Sequence, residues 1–233
     1  MHSMNKEHQL QAKIHTPFSP MLMEFKMPQS YVDTLNEYGD KISSDSEKSK
    51  QLDFSNNLVG NVKQEHQVED HIWHKKPDPE LPTLFGWVGS CTNAYVKTLS
   101  QMRRFNPAAE KEKIVTKVML NSAWIVNSIA GDFNPLHMHN GMLSAAGWLK
   151  MPPSVEKDEE REQAGWIEFM HGVPQSLVEF KYPVKPHVGQ LFLFPAWLVH
   201  EVYPFRGKGI RRTLSFNLDV DLESAIAMKE RGI

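Results

Sequence analysis

The spacing of apolar residues divides the chain into two parts of different character. In the first part, apolar side chains recur at helical spacing over residues 31–42 and again over residues 88–102, which predicts two amphipathic helices. Before them, residues 21–27 alternate between apolar and polar positions, as a strand does. The polar run "SSDSEKSKQ" between the helical stretches continues neither pattern, and a loop is predicted there.

From Ile114 onward, short apolar or alternating runs are separated by Gly, Pro and Asn. Many short strands between turn signals are typical of a sandwich or barrel. The charged run "SVEKDEEREQAG" is interpreted as a solvated loop between two strands, and "DLESAIAMKERGI" as a short closing helix or tail. The predicted strands are "VMLNSAWIVNSIA", "LHMH", "LSAAGWLK", "GWIEF", "SLVEF", "QLFLFP" and "RRTLSFNLDV".

Composition narrows the class of protein. With 233 residues, 40% of them hydrophobic, the chain can form one sizeable core. A net charge of −2 and a pI near 6.6 argue against a broad basic face for nucleic acid. The single cysteine, Cys91, excludes an intramolecular disulfide and favours a reducing compartment. No apolar run approaches the roughly 20 residues of a membrane helix, and the polar N-terminus lacks a signal-peptide core, so we expect a cytoplasmic protein.

Two histidines stand two residues apart in "NPLHMHNG". In a strand, His137 and His139 would point to the same face and could bind one metal ion, although so short a motif also occurs in polar turns. His200 lies at the end of a distant apolar run, "AWLVHEV". Non-heme iron sites of this kind take two ligands from one segment and a third from elsewhere, leaving positions open for substrate and O2.

A polar stripe follows His200. Alternation along "RRTLSFN" places Arg211, Thr213, Ser215 and Asn217 on one strand face, while Arg212 shares the other face with apolar residues. A buried guanidinium binds a carboxylate through two parallel hydrogen bonds. Arg211 is therefore a candidate for binding an acidic ligand, with a surface strand residue as the alternative.

Taken together, these motifs make the second half of the chain similar to a known family. It resembles the Fe(II)/2-oxoglutarate-dependent oxygenases, and in particular a group from bacteria and their phages. That group has an H-x-H element, a "G-x-L-x-x-F-P" run, a distal histidine and an "R-x-S-x-S-F-N" strand. The corresponding segments here are "HMH", "GQLFLFPAWLVH" and "RRTLSFN", and "DFSNNLVGNV" is similar to a further segment of the group.

The resemblance implies a mainly β fold with N-terminal helices, in which a double-stranded β-helix (a cupin-like jelly roll) carries iron near one mouth. It implies His137 and His200 as iron ligands. Most of the larger superfamily has Asp or Glu at the position of His139, which we take as the third ligand because the phage-like group also has His there. Asp132 in "AGDFNP" is the alternative carboxylate ligand.

The resemblance also assigns a cosubstrate site. Arg211 would bind the distal carboxylate of 2-oxoglutarate, with Thr213 beside it. Trp148 stands where the group has a Tyr, and it shares a strand face with Ser144. Both are predicted as further cosubstrate contacts.

The domain layout follows from these assignments. We expect one domain, in which residues 1–113 form a mixed helical and strand elaboration, residues 114–220 the double-stranded β-helix, and residues 221–233 a C-terminal helix or tail. The oligomeric state is open, with a homodimer as the working guess.

The implied function is hydroxylation of a prime substrate, either a protein side chain or a small molecule, in a bacterial or phage-infected cell. The partners would be 2-oxoglutarate and O2, without nucleic acid or membrane. Two alternatives are a cupin-like three-histidine metalloenzyme that does not use 2-oxoglutarate, and a jelly-roll binding protein without catalysis. Two further histidine groups are weaker metal candidates. One is His187, as a replacement for His200. The other is a zinc site in "EHQVEDHIWHKK" with His66, His71 and His74, a polar segment that we interpret as a loop.

Overall fold

A computed structural model of the chain describes residues 20–62, 64–103, 116–156 and 163–222. Two antiparallel sheets face each other. The strands are β1 (Met23–Lys26), β2 (Glu65–Gln67), β3 (Thr116–Ser128), β4 (Asn134–His137), β5 (Leu143–Lys150), β6 (Ile167–Met170), β7 (Lys181–Val184), β8 (Gln190–Pro195), β9 (Val199–Val202) and β10 (Arg211–Leu222). The helices are α1 (Gln29–Ser44), α2 (Ser46–Gln51), α3 (Asp70–Trp73), α4 (Leu84–Arg103) and α5 (Pro153–Glu156).

The strand order is that of a double-stranded β-helix. The larger sheet has the order β1-β8-β5-β10-β3-β2 and the smaller sheet the order β4-β9-β6-β7. The eight strands β3 to β10 divide equally between the two sheets, and the chain crosses repeatedly from one to the other. The predicted mainly β fold with a double-stranded β-helix is therefore confirmed.

Strand alternation gives the larger sheet two apolar faces. The outer face is covered by α1 and α4, whose buried residues pack with those of β3, β5, β8 and β10 in one cluster. The inner face packs against the smaller sheet through a second cluster that includes Ala146, Trp148, Phe169, Phe192 and Phe194. A sheet buried on both faces explains why β5 and β8 are almost continuously apolar, rather than alternating.

Arg212 joins α1 to the sheet and has no exposed surface. Its Nε donates to Asn127 Oδ1 at 2.7 Å, Nη1 donates to the Asn36 carbonyl oxygen at 2.8 Å, and Nη2 donates to Asp40 Oδ1 at 2.7 Å. Gly39 makes room for the guanidinium, because a Cβ at this position would lie 2.9 Å from Arg212 Cζ. The one charged residue on the apolar face of "RRTLSFN" thus donates a hydrogen bond from each of its three guanidinium nitrogens.

Several sequence predictions hold and three are wrong. The strand over residues 21–27 and both long helices are present. "SSDSEKSKQ" instead contains α2, whose N-cap Asp45 accepts hydrogen bonds from the N–H groups of Glu47 and Lys48. "SLVEF" is an exposed loop that precedes β7. The polar segment around His66 and His71, interpreted as a loop, forms β2 and α3.

Some predictions fall where the structure gives no description. The closing helix or tail extends over residues 223–233, and the centre of the charged run covers residues 157–162, both outside the described ranges. Within those ranges, no helix is long and apolar enough to cross a membrane.

Candidate functional site

Three histidines converge where β4 and β9 pair. His137 ends β4 and lies directly opposite His200 in the strand register. His139 lies two residues beyond the end of β4 and is held by a hydrogen bond from its N–H to the Ala196 carbonyl oxygen at 2.8 Å. One potential ligand atom from each imidazole lies within 4.8 Å of the others. Three convergent ring nitrogens suit iron, for which imidazole is a good ligand.

Backbone carbonyls hold two of these rings in a ligating tautomer. His137 Nδ1 lies 2.7 Å from the Pro135 carbonyl oxygen, and His200 Nδ1 lies 2.9 Å from that of Leu198. A carbonyl oxygen can only accept, so each Nδ1 carries the proton and each Nε2 keeps its lone pair for a metal. This is the usual support of a metal-binding histidine.

Burial keeps all three imidazoles neutral at pH 7. Desolvation lowers the pKa of His200 to about 3. Desolvation, reinforced by the neighbouring His137, lowers the pKa of His139 to about 4. The pKa of His137 is also lowered, chiefly by desolvation. Neutral imidazole is the form that binds metal, so the site is ready for an ion at physiological pH.

Arg211 begins β10 and extends into the same cavity, where only 3% of its surface is exposed. Nη1 donates to the carbonyl oxygens of Gly165 and Tyr203, at 2.8 and 3.4 Å, and Nη2 donates to Ser128 Oγ at 3.1 Å. Nε has no acceptor among the described residues. Of the five N–H groups of a guanidinium, the one on Nε and one on Nη2 remain for a ligand.

Arg211 is also a buried charge without an ion pair among the described residues. Burial lowers its pKa to about 10, with a partly opposing effect of Asp132, so the guanidinium stays charged at pH 7. A buried charge without a counterion is unfavourable unless a ligand supplies one. Two free donors and a positive charge that no described carboxylate contacts are what a carboxylate ligand requires.

The other predicted site residues fall into two groups. Thr213 and Trp148 line the cavity of about 100 Å³ that extends from the histidines to Arg211. Ser144 lies on the same face of β5 but not in the cavity lining, because its hydroxyl donates to Asn217 Oδ1 at 2.7 Å and is fully buried.

The alternative ligands lie elsewhere. Asp132 accepts a hydrogen bond from the Ile129 N–H at 2.9 Å and does not join the histidine group. His187 lies in the loop between β7 and β8. His66 hydrogen-bonds Ser49 Oγ at 2.8 Å. Among the residues that the structure describes, His137, His139 and His200 are the one group of three or more side chains close enough to share an ion.

Other parts of the site could not be read from the sequence. One cavity wall is the segment Asn57, Leu58 and Val59, which belongs to "DFSNNLVGNV". Phe54 anchors this segment by stacking on Trp124 with ring centroids 5.6 Å apart. The only signal for the segment was its resemblance to the phage-like group, and nothing in the sequence indicated that it reaches the histidines.

Glu65 gives the site region an expected pH dependence. Its carboxyl is 1% exposed, both oxygens lack a partner among the described residues, and desolvation, aided by Asp53 and Asp132, raises its pKa to about 7. The folded protein therefore binds a proton that the unfolded chain loses above pH 4.5. The contribution of protonated Glu65 to the free energy of unfolding is fully present below pH 4.5. It is lost as the pH rises to about 7.

We expect Glu65→Gln to remove this loss. Relative to the wild type, the variant should gain up to about 3 kcal/mol in the free energy of unfolding between pH 4.5 and pH 8. Urea unfolding across that range measures the difference. A constant difference between the two proteins would show that Glu65 titrates normally.

Comparison with known proteins agrees with this geometry. Residues 122–217 match the family described as "Putative 2OG-Fe(II) oxygenase". A search of the curated proteins finds no significant relative. Similar solved structures include a prolyl-4-hydroxylase from Pseudomonas putida, at 14% identity and a TM-score of 0.49 over 84% of this chain and 91% of that one.

Two further structures are similar to a comparable degree. One is a prolyl hydroxylase from Trichoplax adhaerens in complex with a hypoxia inducible factor peptide (13% identity, TM-score 0.49, 89% of this chain and 86% of that one). The other is HygX from Streptomyces hygroscopicus with nickel and 2-oxoglutarate bound (9%, 0.46, 85% and 82%). The matched segment runs from β3 to β10 and contains the three histidines and Arg211, so this part of the chain is similar to the family of 2OG-Fe(II) oxygenases.

Proposed function

We propose that the protein is an Fe(II)- and 2-oxoglutarate-dependent oxygenase that hydroxylates a prime substrate. The observation that carries the proposal is one cavity with three neutral imidazoles at one end and a buried, unpaired guanidinium at the other. The overall reaction converts 2-oxoglutarate, O2 and R–H into succinate, CO2 and R–OH. When bound, the iron supplies the redox chemistry that couples these oxidations.

The chain's own residues bind and orient the reactants. His137, His139 and His200 would hold iron through three protein ligands and leave positions for other partners. The two free donors of Arg211 would bind the distal carboxylate of 2-oxoglutarate, beside Thr213. Among the residues that the structure describes, no carboxylate, lysine or tyrosine lines the cavity. With the three histidines holding iron, this part of the chain would offer no general acid or base there, and its contribution would be placement and exclusion of water.

Anaerobic titration of metal-free protein with Fe(II), followed by 2-oxoglutarate, tests the proposal. We expect a weak visible charge-transfer band that requires both additions. His139→Ala should lose the band. Iron binding without any effect of 2-oxoglutarate would contradict the proposal and favour a three-histidine metalloenzyme of another kind. If the protein does not bind iron, the remaining alternative is a jelly-roll binding protein without catalysis.

Arg211→Ala should raise the 2-oxoglutarate concentration needed for half-maximal band intensity at least about a hundredfold, since two charge-assisted hydrogen bonds are lost. Arg206→Ala is the matched control, because Arg206 is an exposed arginine of the loop between β9 and β10. Equal effects of both substitutions would show that Arg211 acts only through the net charge of the region.

A further inference from the structure

Three loops surround the end of the barrel that carries the histidines. The pairs His137–His200 and Met170–Val199 place the end of β4, the start of β9 and the end of β6 at this end. The loops β4–β5, β6–β7 and β8–β9 therefore lie side by side. Direct contacts connect them: the Ala196 N–H donates to the Met142 carbonyl oxygen, and the rings of His171 and Trp197 are 5.7 Å apart.

These loops expose large apolar side chains. We call them the apolar rim: Met138, Met142, Val173, Leu177, Val178 and Trp197, each between 47% and 106% exposed. Leu177 is fully exposed and has a φ of 65°, a conformation that non-glycine residues seldom adopt. Apolar side chains grouped on an exposed surface are typical of an interaction site.

The segments of these loops that carry the apolar rim have no charged side chains. Residues 138–142, 171–178 and 196–198 contain no Asp, Glu, Lys or Arg, although 23% of the whole chain is charged. The one charged residue of the three loops is the exposed Glu179, next to β7. Nucleic acid would require lysine or arginine here to neutralise phosphates, and a charged metabolite would require a countercharge. The partner that fits this rim is uncharged and apolar on its surface.

The side-chain oxygen of Asn134 requires a hydrogen-bond donor inside the cavity. Asn134 lines the cavity wall. In the β4–β9 register it lies opposite Val202, on the same pair of strands as His137 and His200. Its side-chain oxygen is buried without a partner among the described residues. Such an oxygen requires a donor. 2-Oxoglutarate has no N–H group, so we assign this donor to the prime substrate.

We infer that the prime substrate is an uncharged, apolar stretch of polypeptide, which packs its side chains on the apolar rim and donates a backbone N–H to Asn134. A polypeptide combines N–H donors with closely spaced apolar side chains, as the two observations require. Gly60 leaves room for the Asn134 amide, because a Cβ there would lie 2.6 Å from Asn134 Oδ1 and displace it. The inference rests on the proposed function and names its substrate class.

The test measures succinate release by the iron-loaded protein with 2-oxoglutarate and O2. The probe is a pool of short peptides of uncharged residues, acetylated and amidated at their ends. A second pool has Glu or Lys at every third position. We expect the uncharged pool to raise succinate release several-fold over the peptide-free rate, and the charged pool to have little effect.

Leu177→Ser and Asn134→Ala test the two contacts separately. Loss of one buried leucine contact should raise the half-saturating peptide concentration roughly tenfold, and Asn134→Ala should lower the peptide-stimulated rate at low peptide concentration by a similar factor. Val188→Ser is the matched control for the rim: Val188 is 45% exposed in the loop between β7 and β8, at the opposite end of the barrel. It should leave the peptide response unchanged.

Distinct outcomes separate this inference from the proposed function. Without a charge-transfer band in the wild type, the proposed function fails. If the band forms but no peptide stimulates turnover, or both pools act equally, the substrate class is wrong and the oxygenase assignment stands. Stimulation by free amino acids, oligosaccharides or phosphatidylcholine vesicles in place of peptides would also overturn the inference. If Leu177→Ser loses the charge-transfer band, Val173→Ser is used in its place to test the apolar rim.

Discussion

His200→Ala is expected to abolish functional iron binding. His200 is the most buried of the three imidazoles, and its ring centroid lies 4.3 Å from that of His137 and 5.1 Å from that of His139. Loss of a residue that merely supports a metal ligand already weakens affinity about ten- to a hundredfold. Removal of a ligand should therefore weaken it by more than about a hundredfold, and 2-oxoglutarate turnover should fall at least as far.

Two further variants make this prediction specific. His187→Ala removes the alternative ligand in the loop between β7 and β8 and should leave iron affinity unchanged. His200→Gln retains more of the side-chain volume between Phe169 and Phe194 and separates loss of the ligand from loss of packing. Competition of Fe(II) with a coloured chelator measures all three affinities. If His200→Ala kept the wild-type iron affinity and His187→Ala lost it, His187 would be the ligand in place of His200.

Arg212→Met is expected to destabilise the fold by about 4 kcal/mol. The substitution keeps an unbranched side chain of similar length but removes every hydrogen bond that the guanidinium makes to α1 and to Asn127. Hydrogen bonds to charged groups contribute about 1.5–3 kcal/mol each, and the buried Asn127 side chain would lose the donor to its Oδ1. Urea unfolding should show a lower midpoint with an unchanged dependence on denaturant.

The control for Arg212 is its partner carboxylate. Asp40 has 61% of its side chain exposed, so Asp40→Asn should cost no more than about 1 kcal/mol. Gly39→Ala gives an independent check. In an ordinary helix this change stabilises by about 1 kcal/mol, but here the new Cβ would meet Arg212 and the sign should reverse. A stabilised Gly39→Ala would show that the guanidinium can move without loss.

The pattern of apolar residues correctly predicted the strands whose side chains are buried on the faces of the larger sheet. The runs that became β3, β5, β8 and β10 are apolar because both faces of the larger sheet are covered. "SLVEF" is also rich in apolar residues, but its first four residues are exposed to solvent. Composition cannot distinguish an apolar strand of the core from an apolar loop exposed to solvent. That error is informative here, because the loop includes part of the apolar rim.

The sequence predicted which imidazole and guanidinium side chains the structure brings together in the candidate site, but not the groups that support them. His137, His139, His200 and Arg211 carry chemistry that is recognisable from residue type and spacing. Ser128, which accepts from Arg211 Nη2, depends on the pairing of β10 with β3. Such pairings are set by the whole sheet, and one sequence does not reveal them. Parity placed Ser144 on the correct face, but its hydroxyl is already bonded within the core.

The opposition of His137 and His200 across β4 and β9 also bears on how the protein folds. These strands are separated in sequence by most of the barrel, so the group of three histidines is assembled only after β5 to β8 have folded between them. Closing such a long segment is entropically unfavourable and slow. Iron can therefore bind tightly only to the completed barrel and should stabilise it over every partly folded form. Newly made chains would thus acquire iron at the end of folding, not during it.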